Sequence, residues 1–517
     1  MTSSSANANL FVALRAGFDR DLDRTAIETV DTGLFYTWRD IERATAMLAN
    51  LLDSLDLAPS SRIAVQAEKS VESLLFYLAV LRAGHVYLPL NTAYKPDEIA
   101  YFLGDAEPAL FVCAPKDFVW ASKLAFAKGT TFVFTLSDDR SGSLLERATH
   151  FSDRHEPAVR KAGELAAILY TSGTTGRSKG AMLTHGNLLS NALTLKDYWG
   201  WRTPDEGGDV LVHALPIFHV HGLFVASHGA LLAGAKMLWL DRFDARRVVR
   251  ELPRATVFMG VPTLFVRLLA EPTFTNEACR NMRVFISGSA PLLVDTFEQF
   301  KGRSGHTILE RYGMSETVML TSNPYDAADG ERRGGTVGFP LPGVGVRVVG
   351  PDGAALPAGT VGGVEVRGPN VFMGYWRMPE KTHEEFTVDG WFRTGDVGLV
   401  DERGYVSIVG RSKDLIISGG YNVYPAEIEA VLNEMPGIAE SAVVGVPHSD
   451  FGEAVVAVVV ARAGASLEPE ALIATLKKTI ANFKVPKAVF VVAELPRNTM
   501  GKVQKNLLRA EHAALFA

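Results

Sequence analysis

The first half of the chain is dominated by short apolar runs stopped by Gly, Ser or Pro and separated by stretches of helical spacing. Asp40 to Leu55 carries apolar residues at helical spacing, and Arg62–Gln66 (RIAVQ) reads as a short strand. Val71 to Ala83 reads as a helix and HVYLPL (85–90) as the next strand. The pattern returns at LAAILY (165–170), TVFMGV (256–261) and RVFISG (283–288). Such alternation predicts open, mostly parallel sheets covered by helices, with function carried on loops at strand ends. From Gly334 to Gly410 the texture changes to Val-rich strands punctuated by Gly and Pro, which predicts an antiparallel or barrel-like region. Beyond Arg411, AEIEAVLNEM and PEALIATLKKTI read as helices, and SAVVGVP and AVVAVVVA as strands, of a small α+β module. The boundary is placed at Gly410–Lys413, giving an N-terminal unit 1–410 and a C-terminal unit 411–517. That division suits 517 residues, which are long for one core.

Charge and cysteine content narrow the function classes. Lys plus Arg total 52 against 58 for Asp plus Glu, a net charge of −6, so overall charge does not hold this chain to nucleic acid. The two cysteines, Cys113 and Cys279, build neither a disulfide framework nor a cysteine-rich zinc site. The N-terminus lacks a basic segment followed by an apolar one, and no apolar run approaches the ~20 residues of a membrane helix. The expectation is a soluble cytoplasmic enzyme acting on small molecules, with no nucleic-acid or membrane partner.

The chemistry concentrates in Tyr170-Thr-Ser-Gly-Thr-Thr-Gly-Arg-Ser-Lys-Gly180, which follows a strand-like run. Glycines let backbone approach an anion, hydroxyls and amides donate to phosphate oxygens, and Lys179 adds charge. The spacing is not that of a Walker A loop. GRSKG (176–180) matches GxSxG, but Ser178 stands eight residues past the end of the strand at Tyr170, so it is not read as a nucleophile elbow.

This stretch resembles the phosphate loop of the adenylate-forming superfamily: acyl-CoA synthetases, luciferases and peptide-synthetase adenylation domains. Further motifs follow in order: RYGMSE (311–316), YWRMPEKT (375–382), WFRTGD (391–396), GRSKDLIISGGYNVYPAEIE (410–429) and PRNTMGKVQK (496–505). The resemblance implies an α/β fold: a large N-terminal domain of two α/β subdomains plus a distorted β-barrel, with a small mobile C-terminal α+β domain. It also implies two half-reactions, in which a carboxylate attacks the α-phosphate of ATP and a thiol then displaces AMP. It assigns Thr171, Ser172, Gly173, Thr174, Thr175, Gly176 and Lys179 to the β- and γ-phosphates, and Glu316 to Mg²⁺, a hard cation suited to a carboxylate and phosphates. Ser315, where threonine is usual, keeps a hydroxyl for the α-phosphate. Gly288, Ser289, Ala290, Pro291 and Tyr312 resemble the adenine wall, and Asp396 the ribose acceptor, with Arg411 nearby. Lys502 resembles the lysine that bridges the acid and the α-phosphate, and is a target for a lysine acetyltransferase and deacetylase in this family. Lys413 stands where the family places the hinge, and Gly419, Gly420 and Tyr421 fall in the loop that flanks the pantetheine arm of CoA.

HALPIFHVHGL (213–223) resembles the segment lining the acyl pocket, with His219 beside the reacting carboxylate. Arg311 is the departure, because coumarate-CoA ligases and many fatty acyl-CoA synthetases carry a small residue there. A guanidinium is a natural fork for a carboxylate. Arg267 and Ser287 are read as further pocket groups, with surface exposure as the other reading of Arg267 and pairing with Glu310 as the other reading of Arg311. LERYGMSE, HVYLPLNTAY, SGSAPL and SNPYD together resemble malonyl-CoA synthetases. The resemblance therefore implies malonate + ATP + CoA → malonyl-CoA + AMP + diphosphate through a malonyl-adenylate, with methylmalonate not separable. Other readings are a ligase for another short-chain acid, a carrier-loading adenylation protein, a non-catalytic nucleotide-binding regulator and a luciferase-like oxidase. Retention of Glu316, Asp396 and Lys502 argues against the regulator, and Arg311 against a bulky aromatic ligand.

Overall fold

The computed structural model describes residues 7–171, 178–418, 421–498 and 502–516. Two open sheets form the body of the N-terminal part. The six-stranded sheet runs in the order Phe132–Thr135, Leu110–Cys113, Arg62–Gln66, Val86–Pro89, Leu165–Thr171, Lys179–Thr184 and is parallel except for its last pair. The nine-stranded sheet runs Phe339–Pro340, Val318–Ser322, Leu309–Met314, Val284–Ser287, Val257–Gly260, Val210–His213, Lys236–Trp239, Thr25–Thr29, Phe35–Thr37. It is parallel through its middle and antiparallel at both ends.

The helix Val71–Arg82 is buried at every position, and its residues pack in one core with side chains from both sheets. A helix apolar on all sides belongs between layers, which is why its sequence shows little amphipathic contrast. Its entry is fixed by a capping box between Ser70 and Ser73. Lys69, just before it, donates to the carbonyls of His213 (2.9 Å) and Leu240 (2.6 Å), tying the helix to the strand ends of the second sheet.

The glycine-punctuated stretch expected as a distorted barrel forms a four-stranded antiparallel sheet: Gly345–Val349, Gly362–Arg367, Phe392–Val400, Val406–Arg411. Bonds from Val337 N–H to the Val406 carbonyl and from Val406 N–H to the Gly338 carbonyl lead it onto the edge of the nine-stranded sheet. The C-terminal part is a five-stranded sheet built on Ile438–His448 and Gly452–Ala461. Helices Pro425–Asn433, Pro469–Thr479 and Lys505–Glu511 accompany it. Along Gly452–Ala461, Val455, Ala457 and Val459 enter one apolar cluster while Ala454, Val456 and Val458 enter another. A strand covered on both faces needs no polar alternation, which explains the unbroken AVVAVVVA run. Among the described residues no helix is long and apolar enough to cross a membrane.

Arg283 and Asp209 form an ion pair at 2.8 Å with side chains 7% and 0% exposed. Asp209 also accepts from Thr256 Oγ1 at 2.7 Å, and Arg283 donates to the Trp199 carbonyl at 2.7 Å. This network joins the strand starts beneath the candidate site. Asp209→Ala would leave a buried guanidinium unpaired, so the denaturant midpoint of the N-terminal transition is expected to fall by the equivalent of about 3–5 kcal/mol. An unchanged midpoint would show the pair to be dispensable.

Candidate active site

The centre of the site is the strand Leu309–Met314 and the tight turn into Val318–Ser322. A Cβ on Gly313 would stand 1.8 Å from the Val318 carbonyl oxygen, so only glycine admits this crossing. The turn holds Ser315, half-buried, and Glu316, buried. Glu316 Oε1 accepts from Tyr375 Oη at 3.0 Å, and burial raises the carboxyl's pKa against that bond and the cations Arg411 and Lys179. Lys179 Nζ lies 4.3 Å over the Tyr375 ring and 3.6 Å from Glu385 Oε1. Thr171 and Lys179 are register partners across the antiparallel pair. The phosphate-loop residues Ser172, Gly173, Thr174, Thr175 and Gly176 lie outside the described residues. Tyr375 and Glu385 were not singled out in the sequence, although Tyr375 opens the YWRMPEKT motif.

Asp396 organises the adjoining corner. Tyr312 Oη donates to its Oδ2, and Arg411 Nε lies 2.7 Å from its Oδ1. Asp396 and Arg411 are cross-strand partners, so strand pairing itself sets this ion pair. Burial raises the Asp396 pKa, with Arg411 the strongest opposing influence. Tyr312, expected only as part of the adenine wall, thus also orients the expected ribose acceptor. Gly288, Ser289 and Ala290 form the turn after Val284–Ser287, where Ser289 takes a φ of +71°. Leu292 N–H, further along this segment, donates to Glu310 Oε1 at 3.0 Å.

Arg311 is 2% exposed, and none of Nε, Nη1 and Nη2 has a hydrogen-bond partner. It does not bond to Glu310; adjacent residues on a strand point to opposite faces. Burial pushes the guanidinium down to about 9, which leaves it charged at neutral pH. A Cβ on Gly288 would lie 2.5 Å from its Cζ, so the fork packs flat against that glycine. Ser287 Oγ is fully buried and also unpartnered. His219 is half-buried, its Nδ1 accepts weakly from His221 N–H at 3.4 Å, and burial followed by the charges of Lys502 and Arg311 pushes it down to about 3. It is therefore a neutral imidazole at neutral pH. Arg267 lies in the last turn of Pro262–Ala270, where Leu264, Phe265 and Leu268 take the buried face and Arg267 is left exposed.

Lys502 is exposed to solvent. Desolvation is the first cause of its lowered pKa, followed by Arg411, with Asp396 and Glu316 acting in the opposite sense and Arg311 in the same one. The structure thus brings Lys502 to the carboxylates and to the buried arginine. Its loop is closed by Lys502 N–H to Asn498 Oδ1 at 3.0 Å. Arg462 reaches Asp295 across the two parts at 3.1 Å. Lys413 is exposed in the single turn Ser412–Asp414 between the strands ending at Arg411 and beginning at Ile416. Tyr421 is exposed and stacks on Phe483 at 4.7 Å, while Gly419 and Gly420 lie outside the described residues.

A metal fits this donor set in one way. No cluster of three or more metal-ligating side chains occurs among the described residues, but the single buried carboxylate of Glu316 suits Mg²⁺, whose remaining ligands come from phosphates and water.

The AMP-binding enzyme model matches residues 14–376 and the AMP-binding enzyme C-terminal domain matches 427–502. The chain is 34% identical over 481 residues to a malonate–CoA ligase of Arabidopsis thaliana, covering 87% of this chain and 78% of that one. It is also 34% identical over 494 residues to a feruloyl-CoA synthase of Amycolatopsis, covering 94% and 95%. The ATP-bound crystal structure of MatB from Rhodopseudomonas palustris superposes with a TM-score of 0.95 at 53% identity, covering 99% of this chain and 100% of that one; for apo MatB the TM-score is 0.84. With a nucleotide-type site and both family domains in place, the chain belongs to the AMP-binding, adenylate-forming enzyme family and is an ATP-dependent acid–CoA ligase.

Proposed function

We propose that the acid is malonate, and that the enzyme makes malonyl-CoA, AMP and diphosphate from malonate, ATP and CoA through malonyl-adenylate. The observation that carries this reading is Arg311, a buried charged fork without a protein partner. A buried unpaired charge is costly, and an anionic group on the substrate relieves that cost. Arg311 and Lys502 both bear on His219, so two cations act on one imidazole. A diacid with one carboxylate reacting at Lys502 and the other held by Arg311 fits those two cations. Arg267, exposed on the helix after Val257–Gly260, is assigned as a second cation for the far carboxylate, with Ser287 adding a hydroxyl.

In the first half-reaction one malonate oxygen attacks the α-phosphorus, and diphosphate leaves with the electron pair of the broken P–O bond. Lys502 holds the attacking carboxylate and the α-phosphate together, and Ser315 donates to the α-phosphate. Thr171, Lys179 and the intervening loop hold the β- and γ-phosphates. Glu316 would hold Mg²⁺, which when bound would supply charge neutralisation at the polyphosphate. Asp396, oriented by Tyr312 and Arg411, accepts from the ribose hydroxyls, and Gly288, Ser289 and Ala290 lie against adenine. In the second half-reaction the CoA thiol gives up its proton and its sulfur displaces AMP from the acyl carbon. Lys502 then has to leave. We assign that motion to rotation of 411–517 about Lys413, bringing Tyr421 and its neighbouring glycines to the pantetheine arm. Separate apolar clusters in the two parts support it, as does the difference in TM-score between the ATP-bound and apo structures of MatB. A cytoplasmic site of action goes with this proposal.

Methylmalonate is proposed as a second substrate, since one methyl changes discrimination by only ~1–3 kcal/mol. The other reading is a ligase for a different short-chain acid; relatives of similar identity are named for feruloyl-CoA and for long-chain fatty acids, so the acid varies among them.

Diphosphate release measured across malonate, methylmalonate, succinate, acetate and butyrate is expected to give malonate a kcat/KM at least about a hundredfold above acetate. Arg311→Gly is expected to lose that preference and gain activity on monocarboxylates. A wild-type preference for a monocarboxylate would remove malonate, and an unchanged profile in Arg311→Gly would remove Arg311 from selection.

Lys502→Ala is expected to lower adenylation by at least about a hundredfold while thioester formation from supplied malonyl-adenylate continues. Equal losses in both steps would contradict the rotation. In the free enzyme the Lys502 pKa is lowered, so its charge is lost as pH rises through a value below the ordinary ~10.4. Adenylation kcat/KM is therefore expected to decline on the alkaline side at lower pH than kcat, because bound polyphosphate restores the lysine's proton affinity. Superimposable alkaline limbs would contradict that reading.

A further inference from the structure

Three histidines stand in the acyl segment, His213, His219 and His221, and the reaction as described uses only His219. His221 is buried, at 1% exposure. It begins the π-helical turn His221–Ser227, whose fold is fixed by His213 Nε2 (3.1 Å) and Ser227 Oγ (2.9 Å), both donating to the Gly222 carbonyl. Such turns are rare and occur often at functional sites. On one side, His221 Nδ1 faces Ser289 Oγ at 3.5 Å. On the other, His221 Nε2 is buried and has no hydrogen-bond partner. Ser289 follows Gly288, the residue against which the Arg311 guanidinium packs, so His221, Ser289, Gly288 and Arg311 are contiguous.

Among the described residues the unpartnered buried atoms beside Arg311 are its own Nε, Nη1 and Nη2 and His221 Nε2. A carboxylate offers about four acceptor sites on two oxygens, enough to answer most of such a set and more than a carbonyl or an alkyl group offers. The charges divide His219 and His221 along the pocket. Lys502 acts first among the charges on His219, whereas Arg311 acts first on His221 and Lys502 does not figure there. His219 therefore belongs to the reacting end and His221 to the far end.

We propose that His221 is a specificity-determining residue: its Nε2–H donates to the acid's second carboxylate beside Arg311, with the Ser289 hydroxyl donating to Nδ1 and so holding the imidazole in the tautomer that carries its proton on Nε2. The proposal rests on the diacid reading of the site. With the Ser289 hydroxyl donating to Nδ1, the neutral ring satisfies both its nitrogens only if something accepts at Nε2. The proposal also assigns a purpose to the left-handed backbone of Ser289, a conformation that non-glycine residues adopt at a cost and that places the hydroxyl at the ring.

The test compares wild type, His221→Leu, His221→Gln and Ser289→Ala for steady-state constants with malonate, ATP and acetate. Leu removes the donor, whereas Gln replaces one at the reach of Nε2. Expected are a rise of roughly ten- to a hundredfold in malonate KM for His221→Leu, partial rescue by His221→Gln, and a smaller rise for Ser289→Ala. In the two His221 variants the ATP KM should move less than about twofold, and the malonate-to-acetate ratio of kcat/KM should fall in all three. Malonate and ATP constants that decline together in His221→Leu with no rescue by Gln would make the residue structural and overturn the proposal. So would a wild-type malonate KM in both His221 variants. Should His221→Leu fail to fold, Ser289→Ala and His221→Gln carry the decision: wild-type malonate constants in both overturn it, and a malonate-specific rise in Ser289→Ala supports it. A wild-type enzyme that does not favour malonate over acetate would instead bring down the diacid reading, and this proposal with it.

Discussion

A charged guanidinium buried without a protein partner is the condition on which the acid-binding end of this structure depends. Arg311 is placed by the strand Leu309–Met314 and packed flat against Gly288, yet nothing in the described chain neutralises it. Exchanging it for a small residue would remove that cost, and relatives that act on other acids show the fold serving other substrates. On the proposed function, an anionic group of the substrate completes the site and offsets that cost. His221 Nε2, beside it, is also unanswered, and on the other face of the strand Glu310 is partnered at Oε1 by the Leu292 amide while its Oε2 and Ser287 Oγ have no partner among the described residues.

One strand and its turn therefore serve both substrates. Arg311 packs on Gly288, where the proposal puts the acid, Tyr312 reaches Asp396 on the four-stranded sheet, and Gly313 lets the chain cross tightly enough to present Ser315 and Glu316. Tyr375 then ties Glu316 to Lys179, where the chain re-enters the six-stranded sheet. Acid selection, nucleotide positioning and the carboxylate suited to Mg²⁺ share one rigid element. Lys502 arrives from the other part of the chain, from a loop closed by Asn498 and with Arg462–Asp295 spanning the two parts. This division suits chemistry in which one lysine has to leave while the acyl-adenylate stays in place.

Much of the strand and helix order was legible in the sequence, because the strands run as continuous apolar segments and the intervening helices have caps and clear length. RIAVQ, LAAILY and RVFISG all fall on parallel strands. The helix Val71–Arg82 was legible by length and burial rather than by amphipathic contrast, since both of its faces are covered. The ordered motifs located Asp396, Glu316, Arg311 and Lys502. What the sequence concealed was pairing. Nothing in YWRMPEKT shows that its tyrosine bonds Glu316, and nothing in RYG shows that its tyrosine turns to Asp396, because both contacts join segments distant in the chain. Nothing in HVHG marks His221 apart from an ordinary buried histidine; the structure shows its Nε2 without a partner among the described residues. Arg267 illustrates the limit of helical spacing, which puts it on the exposed side of its helix without saying what it meets there.

The central claim is that a substrate carboxylate answers the buried charge of Arg311. A crystal structure with malonyl-adenylate bound tests it most directly. The account predicts the free carboxylate within ~2.8 Å of the Arg311 guanidinium, with the acyl carbon at the Lys502 end of the pocket. A carboxylate turned to solvent, with Arg311 still unpaired or bonded to a protein carboxylate, would contradict it.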